Sequence, residues 1–378
     1  MIRVAQILSR MNGGGAEQII MNYYSAIDRE QVQFDFYMFK GSKYVPVEQI
    51  KSMGGRIFVL PTLKHPLKYF RTLRRLLAEN QYKIMHCHLS TLSFLPLLAG
   101  KQAGVPVRIL HNHTSSGGGR EWLRNLAKFL LKPSARIHAT DYFACSQLSA
   151  RWMYGDRAIT SIDGDDHPGK HKLVRIMPNA IDTVKFRYSE SDRRDVRKEL
   201  HIPENALVVG HIGRFCPTKN QPFIVDIFCE VLKQNKNAVL VFTGDGPDKE
   251  LVQAHVIAAG VTQRVLFTGQ RSDTERLYSA FDCFLLPSNY EGFPVVGVES
   301  QCSGLPFLFS DHVTSEMKLI GTAQQLPLGN AHDWACAVLC CAGLRDSNAP
   351  QVIAAKGLDI KDAATRLTRF YLKKAENC

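Results

Sequence analysis

The sequence predicts an α/β protein made of two doubly wound domains, each with a mostly parallel sheet. Three observations lead there. At 378 residues the chain is too long for one ordinary core and fits two domains of roughly 150 to 200 residues. Apolar strand-like runs alternate with helical patterns along its whole length, the mark of βαβ units. The alternation also restarts near the middle, after a charged stretch.

In the first half the strand-like runs are "RVAQIL", "VQFDFYMF", "RIFVL", "KIMHCHL", "VRILHNH", "DYFACS" and "VRIMPNAI". Near-continuous apolar runs of this kind suit strands buried on both faces of a sheet. The second half restarts at "ALVVGHIGR" and continues with "AVLVFTGDG", "VLFTGQ", "CFLLPS" and "LPFLFS". Between the halves lies "DTVKFRYSESDRRDVRKELHIPEN", read as the hinge. The domains are placed at 1–185 and 186–355, with a last helix over 356–378. Folds of this type bind ligands outside the carboxyl ends of their strands, so glycines and charges at those ends are the candidate site residues.

Composition narrows the function. Hydrophobic residues at 45% and charged residues at 22% describe an ordinary globular chain. No apolar run is long enough to cross a membrane as a helix. "MIRVAQILSR" reads as a first strand, without the apolar core or cleavage site of a signal peptide. The ten cysteines show no zinc or redox spacing, so reduced thiols in a cytoplasm are expected. "HCH" puts His86 and His88 on one face of a strand, but further metal ligands are not supplied nearby, and they are read as strand-end histidines.

The net charge of +12 admits nucleic acid, an anionic membrane or an anionic substrate as partner. No nucleic-acid-binding motif accompanies it, so that partner is excluded. "KHPLKYFRTLRRLLAEN" carries Lys64, Lys68, Arg71, Arg74 and Arg75, with Leu67, Phe70, Leu73 and Leu77 at helical spacing. "REWLRNLAKFLLK" repeats the design, with Arg124, Lys128 and Lys132 on one stripe and Trp122, Leu126, Phe129 and Leu130 on the other. Such helices, near 64–77 and 120–132, suit an anionic membrane surface; the competing reading is two solvated helices with their apolar sides in the core.

Several strand ends carry chemistry. "MNGGGAEQII" puts Gly13, Gly14 and Gly15 before a helix, where free amides can meet an anion; it is not the nicotinamide fingerprint. "GHIGRFCPTKNQPF" places Arg214 and Lys219 ahead of a helix starting near Gln221 or Pro222, a diphosphate clamp. "FTGDGP", with Gly244, and "FTGQ" are further glycine-rich ends on the same rim. "PSNYEGFPVVGVE" then runs through a Gly/Pro turn into a helix, with Glu291 and Glu299 eight positions apart.

The second half resembles the retaining glycosyltransferases of family four, the group 1 nucleotide-sugar transferases of GT-B fold. The carriers are "GRF…K", "GDGP", "FTGQ", "LPS", "EGFPVVGVE" and "GLP"; "GGAE", "HNHTSS", "ACS" and "PNAID" extend the likeness over the first half. Within the family it is similar to bacterial capsule, exopolysaccharide and O-antigen enzymes. The resemblance implies two Rossmann-like domains facing a central cleft, the first binding acceptor and the second donor, with the last helix packing back on the first. Arg214 and Lys219 would hold the donor diphosphate, Glu291 the sugar hydroxyls, and Glu299 the ribose. Amides at Phe293, Pro294's neighbour Val295, and Gly14 or Gly15 would face sugar or phosphate. His111 or His113 would be the first domain's functional histidine.

The expectation is thus a hexosyl- or N-acetylhexosaminyltransferase using a UDP-linked donor and a lipid-linked or glycan acceptor. It would be cytoplasmic and peripheral on the inner face of the membrane, with no cofactor and no metal. A sugar-nucleotide epimerase or phosphorylase of the same fold, and a non-catalytic partner subunit, are the rivals. "DGDD" at 163–166 holds a DxD but sits in a polar excursion, 160–172, and is read as chance. Ala180 in "PNAID" replaces a glycine common among relatives.

Overall fold

A computed structural model describes residues 1–12, 14–113, 122–157, 159–162, 164 and 173–378. The chain forms two compact units, Met1–Ala180 with Ile360–Cys378, and Ile181–Asp359. Gly13, the "TSS" of "HNHTSS", Asp163, Asp165, Asp166 and most of the 160–172 excursion lie outside the described residues, as do the side chains of Trp122 and Arg124.

The first unit carries β1 (Ile2–Ile7), β2 (Val32–Phe39), β3 (Arg56–Leu60), β4 (Ile84–Cys87), β5 (Val107–Asn112), β6 (Asp141–Ala144), β7 (Ile159–Ser161) and β8 (Val174–Ile176). Their order is β3-β2-β1-β4-β5-β6-β8-β7, with parallel pairing throughout. Every residue of β2 is buried, as helices covering both sheet faces require. The one charged residue of the strand, Asp35, is met by Arg3 at 2.6 Å, Arg56 at 2.5 Å and the Tyr82 hydroxyl at 2.6 Å. Burial works to raise its carboxyl, and these three donors outweigh it and hold the group below its ordinary range.

The helix Ile360–Glu376 belongs to this unit although it closes the chain. Its Tyr371 meets Phe34 of β2 edge-on, ring centroids 6.1 Å apart, and its Phe370 lies 5.0 Å from Phe143 of β6. The helix Pro66–Glu79 buries Tyr69, Leu73 and Leu77 in the same core. Its apolar side is therefore spent on the protein, with Leu67 left outside, while Lys64, Lys68, Arg71, Arg74 and Arg75 are exposed.

The second unit carries β9 (Val208–Ile212), β10 (Val239–Thr243), β11 (Val265–Gly269), β12 (Cys283–Leu286), β13 (Phe307–Ser310) and β14 (Ala323–Leu326), in the order β11-β10-β9-β12-β13-β14. All of its described strand pairs are parallel. The doubly wound expectation holds in both units. β7 and β14 were not foreseen, because "ITS" and "AQQL" lack an apolar run.

The charged stretch near 185–205, read as the hinge, lies within the second unit. It folds as the helix Glu190–Glu199, whose Arg193 and Arg197 each lie 2.7 Å from Asp282, the residue before β12. Arg197 also donates to the main-chain oxygens of Ala280 and Glu204. A buried guanidinium with this many acceptors ties the helix to the second unit.

The winding reverses between β1 and β4 in the first sheet and between β9 and β12 in the second. Loops leaving those strands diverge and open a crevice at their carboxyl ends. Among the described residues no helix is long and apolar enough to cross a membrane.

Candidate active site

In the second unit the rim at β9 and β12 collects most of the expected residues. The segment after β9 reaches the helix Gln221–Gln234 through Asn220, which adopts a left-handed φ of 54°. Gln221 donates to the main-chain oxygen of Arg214 at 2.8 Å and lies 3.4 Å from His211 Nε2. His211 Nδ1 donates to Leu285 O at 2.8 Å, so the β9 end is fastened to β12. Burial holds His211 at about 4, which keeps the ring neutral and able to accept from Gln221.

Glycines let the neighbouring loops close on this segment. Gly244, at φ +132°, lies so near the Gly213 carbonyl that a Cβ would come within 2.1 Å of its oxygen. Gly244 N donates to Gly269 O, joining the β10 and β11 ends. Gly244 thus serves the packing of the loops that frame Arg214 and Lys219.

Lys219 and Glu291 meet here. Lys219 Nζ lies 2.5 Å from Glu291 Oε1, with both side chains less than a fifth exposed. The two segments that carry them are stitched by Asn289, whose N–H donates to Thr218 O at 2.8 Å and whose Nδ2 donates to Pro217 O at 2.6 Å. Ser288 Oγ is 3.4 Å from the same Glu291 oxygen. Arg214 is exposed and makes no ion pair among the described residues. One cation is therefore held in place by a carboxylate, and a second is open to an anion.

Pro294 caps the helix Val295–Cys302, which leaves the first amides, at Val295 and Val296, without an intrahelical acceptor. Phe293 and Val295 flank that cap. Glu299, on the same helix, is almost fully buried and accepts from the Tyr278 hydroxyl at 2.8 Å. Desolvation raises its carboxyl from an ordinary 4.5 to about 7, against the lowering effects of Tyr278 and Lys185. A carboxyl poised there can accept hydroxyl donors, and such donors favour its charged form.

In the first unit the loop after β1 leads into the helix Gly15–Ala26. Glu17 Oε2 accepts from the amides of Asn12 at 2.8 Å and Gly14 at 2.7 Å. The glycine-loop amide at Gly14 is therefore already met by a carboxylate of the chain itself. Glu17 sits at the third helical position, where an acid reaches back to the cap, a signal the sequence carries in "GGAE".

The ends of β4 and β5 bring four histidines together. His86 Nε2 lies 3.1 Å from His111 Nδ1, and His88 Nδ1 lies 2.9 Å from His113 Nε2. His86 Nδ1 is 2.6 Å from the Tyr371 hydroxyl, and His88 Nε2 is 2.8 Å from Gln6 Oε1. His86, His88 and His111 each offer a ring nitrogen within 4.8 Å of the others. Five of the six ring nitrogens of these three residues already meet a histidine, Tyr371 or Gln6, and His111 Nε2 meets no partner among the described residues. Burial lowers all four rings, His113 to about 4, so each is neutral near pH 7. His111 is fully buried, whereas His113 follows the strand end and is partly exposed.

Local sequence did not reveal Tyr278, Gln6, Tyr371 or Asn289. Their partners are tens to hundreds of residues away in the chain, so only the folded sheets bring them into contact.

Comparison with known proteins adds a lineage to this geometry. Residues 192–334 match the model for glycosyl transferases group 1, and residues 13–162 that for glycosyltransferase family 4. The putative glycosyltransferase EpsF of Bacillus subtilis is 32% identical over 83% of this chain and 80% of its own length. An Escherichia coli UDP-Gal:alpha-D-GlcNAc-diphosphoundecaprenol alpha-1,3-galactosyltransferase is 24% identical over 82% and 79%. The crystal structure of Anabaena HepE in complex with UDP and glucose superposes with a TM-score of 0.81 at 18% identity, covering 98% of this chain and 100% of that one. This last likeness establishes the GT-B fold.

The raised carboxyl of Glu299 gives a prediction with a defined sign. Its folded value lies above the ordinary one, so its contribution to stability is complete below about 4.5 and is lost as pH rises through about 7. Wild type should therefore lose stability relative to Glu299→Gln between pH 5 and pH 8 in thermal unfolding. Parallel profiles for the two proteins would show that Glu299 titrates normally.

Proposed function

The chain belongs to the group 1 glycosyltransferases, and we propose that it is a retaining enzyme transferring a sugar from a UDP-linked donor to a lipid-linked or glycan acceptor in bacterial surface-polysaccharide synthesis. The observation that carries this reading is the Lys219–Glu291 contact at the point where the second sheet reverses its winding. On this reading it would put a cation for a leaving diphosphate beside a carboxylate for sugar hydroxyls. The named activities of the relatives support the substrate class, and the retaining outcome is the one the family implies.

In this reaction the bond between the anomeric carbon and the β-phosphate oxygen breaks. The acceptor oxygen takes the carbon, and its proton leaves with the nucleoside diphosphate. Negative charge grows on the diphosphate, where Lys219, the exposed Arg214 and the free amides ahead of Val295–Cys302 would stabilise it. Glu291 would orient the sugar as positive charge builds at the anomeric carbon. Glu299 would hold the ribose, Phe293 and Val295 would line the donor, and Gly15 would present its backbone to the sugar. Gly14 would enter through that same loop once Glu17 yields its amide. His113 is the histidine we place at the sugar, on its position at the strand end; His111 lies behind it. This clamp supplies the neutralising charge, so no metal is needed.

A panel of nucleotide sugars incubated with the protein and membrane lipid extract tests the reading. A new glycolipid, identified by mass spectrometry and still formed in excess chelator, is expected. UDP release with an altered free sugar and no glycosylated acceptor would favour an epimerase. Loss of turnover in chelator, restored by magnesium or manganese, would refute the metal-free clamp.

Lys219→Ala should lower kcat on the order of 100-fold, as removal of one transition-state charge stabiliser typically does. Glu291→Gln should act mainly on kcat, whereas Glu299→Gln should weaken binding of free UDP in calorimetry, since ribose contacts differ little between ground and transition states. Normal UDP binding by Glu299→Gln would contradict the assignment.

The membrane contact we place chiefly on the helix Trp122–Arg136. Leu126, Phe129 and Leu130 are 47%, 63% and 67% exposed, so its apolar side points outward rather than into the core. Lys132 lies over the rings of Phe129 and Trp152, at 4.9 and 3.9 Å. The helix Pro66–Glu79 would add charge alone. That pairing of apolar and basic faces supports a peripheral position on an anionic leaflet, which we place on the cytoplasmic side. Sedimentation with anionic vesicles should capture wild type, less so at high salt, and should fail for a Leu126/Phe129/Leu130→Ser variant. Equal capture of both would remove this helix from the contact.

A further inference from the structure

The four histidines at the ends of β4 and β5 are joined by a residue on a third strand. Gln6 of β1 is almost completely buried, and its carboxamide touches His88 of one histidine pair and the Tyr371 hydroxyl that meets His86 of the other. Its Oε1 lies 2.8 Å from His88 Nε2, and its Nε2 donates to the Tyr371 hydroxyl at 3.4 Å. An amide oxygen only accepts and an amide nitrogen only donates, so the two ends impose opposite directions on the two chains.

From the oxygen end, His88 must donate through Nε2–H. A neutral imidazole has one N–H, which leaves His88 Nδ1 as an acceptor, 2.9 Å from His113 Nε2. His113 must then carry its proton on Nε2, and its Nδ1 holds a bare lone pair. From the nitrogen end, the Tyr371 oxygen accepts from Gln6 and gives its own proton to His86 Nδ1, 2.6 Å away. His86 then donates through Nε2–H to His111 Nδ1 at 3.1 Å, and the His111 proton falls on Nε2. That atom is buried and has no partner. One chain ends in an acceptor at the partly exposed His113, and the other in a donor sealed inside.

We propose that Gln6 is a positioning residue that fixes the tautomer of His113 through His88, so that His113 Nδ1 meets the donor sugar as a hydrogen-bond acceptor. The group it takes is a sugar hydroxyl or an amide N–H. A carboxylate or phosphate oxygen at that place would face a lone pair and be rejected. Burial of all four rings supports the direction, because it keeps each ring neutral, and a second proton on His88 or His111 would also set N–H against N–H within one of these short contacts. The proposal rests on the reading of His113 as the histidine at the sugar.

Long-range ¹H–¹⁵N correlation on histidine-labelled full-length protein reads each tautomer directly. His113 is expected with Nε2 protonated and Nδ1 bare, and Gln6→Ala should turn this into a mixture. The same variant should lower kcat about 10-fold and leave UDP affinity unchanged. Gln6→Glu keeps an acceptor toward His88, so it should restore the His113 tautomer and most of kcat. The opposite tautomer in wild type overturns the proposal, as does a Gln6→Ala protein with unchanged His113 signals. Stoichiometric zinc in the purified protein, bound through these rings, overturns it too. If the tautomer is as stated but His113→Ala keeps full activity, the failure lies in placing His113 at the sugar and the relay itself stands.

Discussion

The second unit depends on one constraint, the reversal of winding between β9 and β12. Chains leaving neighbouring parallel strands in opposite directions cannot cover the gap between them. What lies at that gap must be held from its two sides. Here the holding is done by backbone and amide contacts from Asn289 to Thr218 and Pro217, and by the His211–Gln221 link from β12 to the Arg214 carbonyl. Lys219 and Glu291 are consequences of that framework. Each comes from a different side of the gap, and they meet where Asn289 stitches the two segments together.

The same logic explains why charge is distributed unequally over the site. Lys219 is paired, Arg214 is open, and Glu299 is buried with a raised carboxyl. On the proposed reading, a diphosphate entering beside Arg214 would gain a free cation and compete with Glu291 for Lys219. Release of Glu291 toward the sugar would then be coupled to phosphate binding. In the first unit Glu17 plays a comparable part at Gly14, a carboxylate of the chain standing on an amide of the glycine loop. Both arrangements satisfy polar groups that would otherwise be left unpaired at a strand end.

The sequence carried the architecture because parallel strands buried on both faces write long apolar runs, as β2 does at all of its positions. The candidates Arg214, Lys219, Glu291 and Glu299 were legible in the sequence because they stand in the Gly- and Pro-containing segments that follow β9 and β12. It misled where local charge was outweighed by tertiary contact: "DRRDVRKE" looks like a solvated linker, yet Arg197 is buried against Asp282. It was silent on Tyr278 and Gln6, whose meaning lies wholly in partners far along the chain. The helix Trp122–Arg136 shows the converse. Its apolar stripe was legible, but only the fold shows that Leu126, Phe129 and Leu130 face outward.

The account's central claim is that the Lys219–Glu291 contact holds the place of a donor. A crystal structure with an uncleaved UDP-sugar tests it most directly. The account predicts Lys219 Nζ at hydrogen-bond distance from a β-phosphate oxygen, with Glu291 turned to the sugar hydroxyls and Glu299 on the ribose. A complex in which Lys219 remains paired with Glu291 alone, and the diphosphate is bound elsewhere, would contradict it.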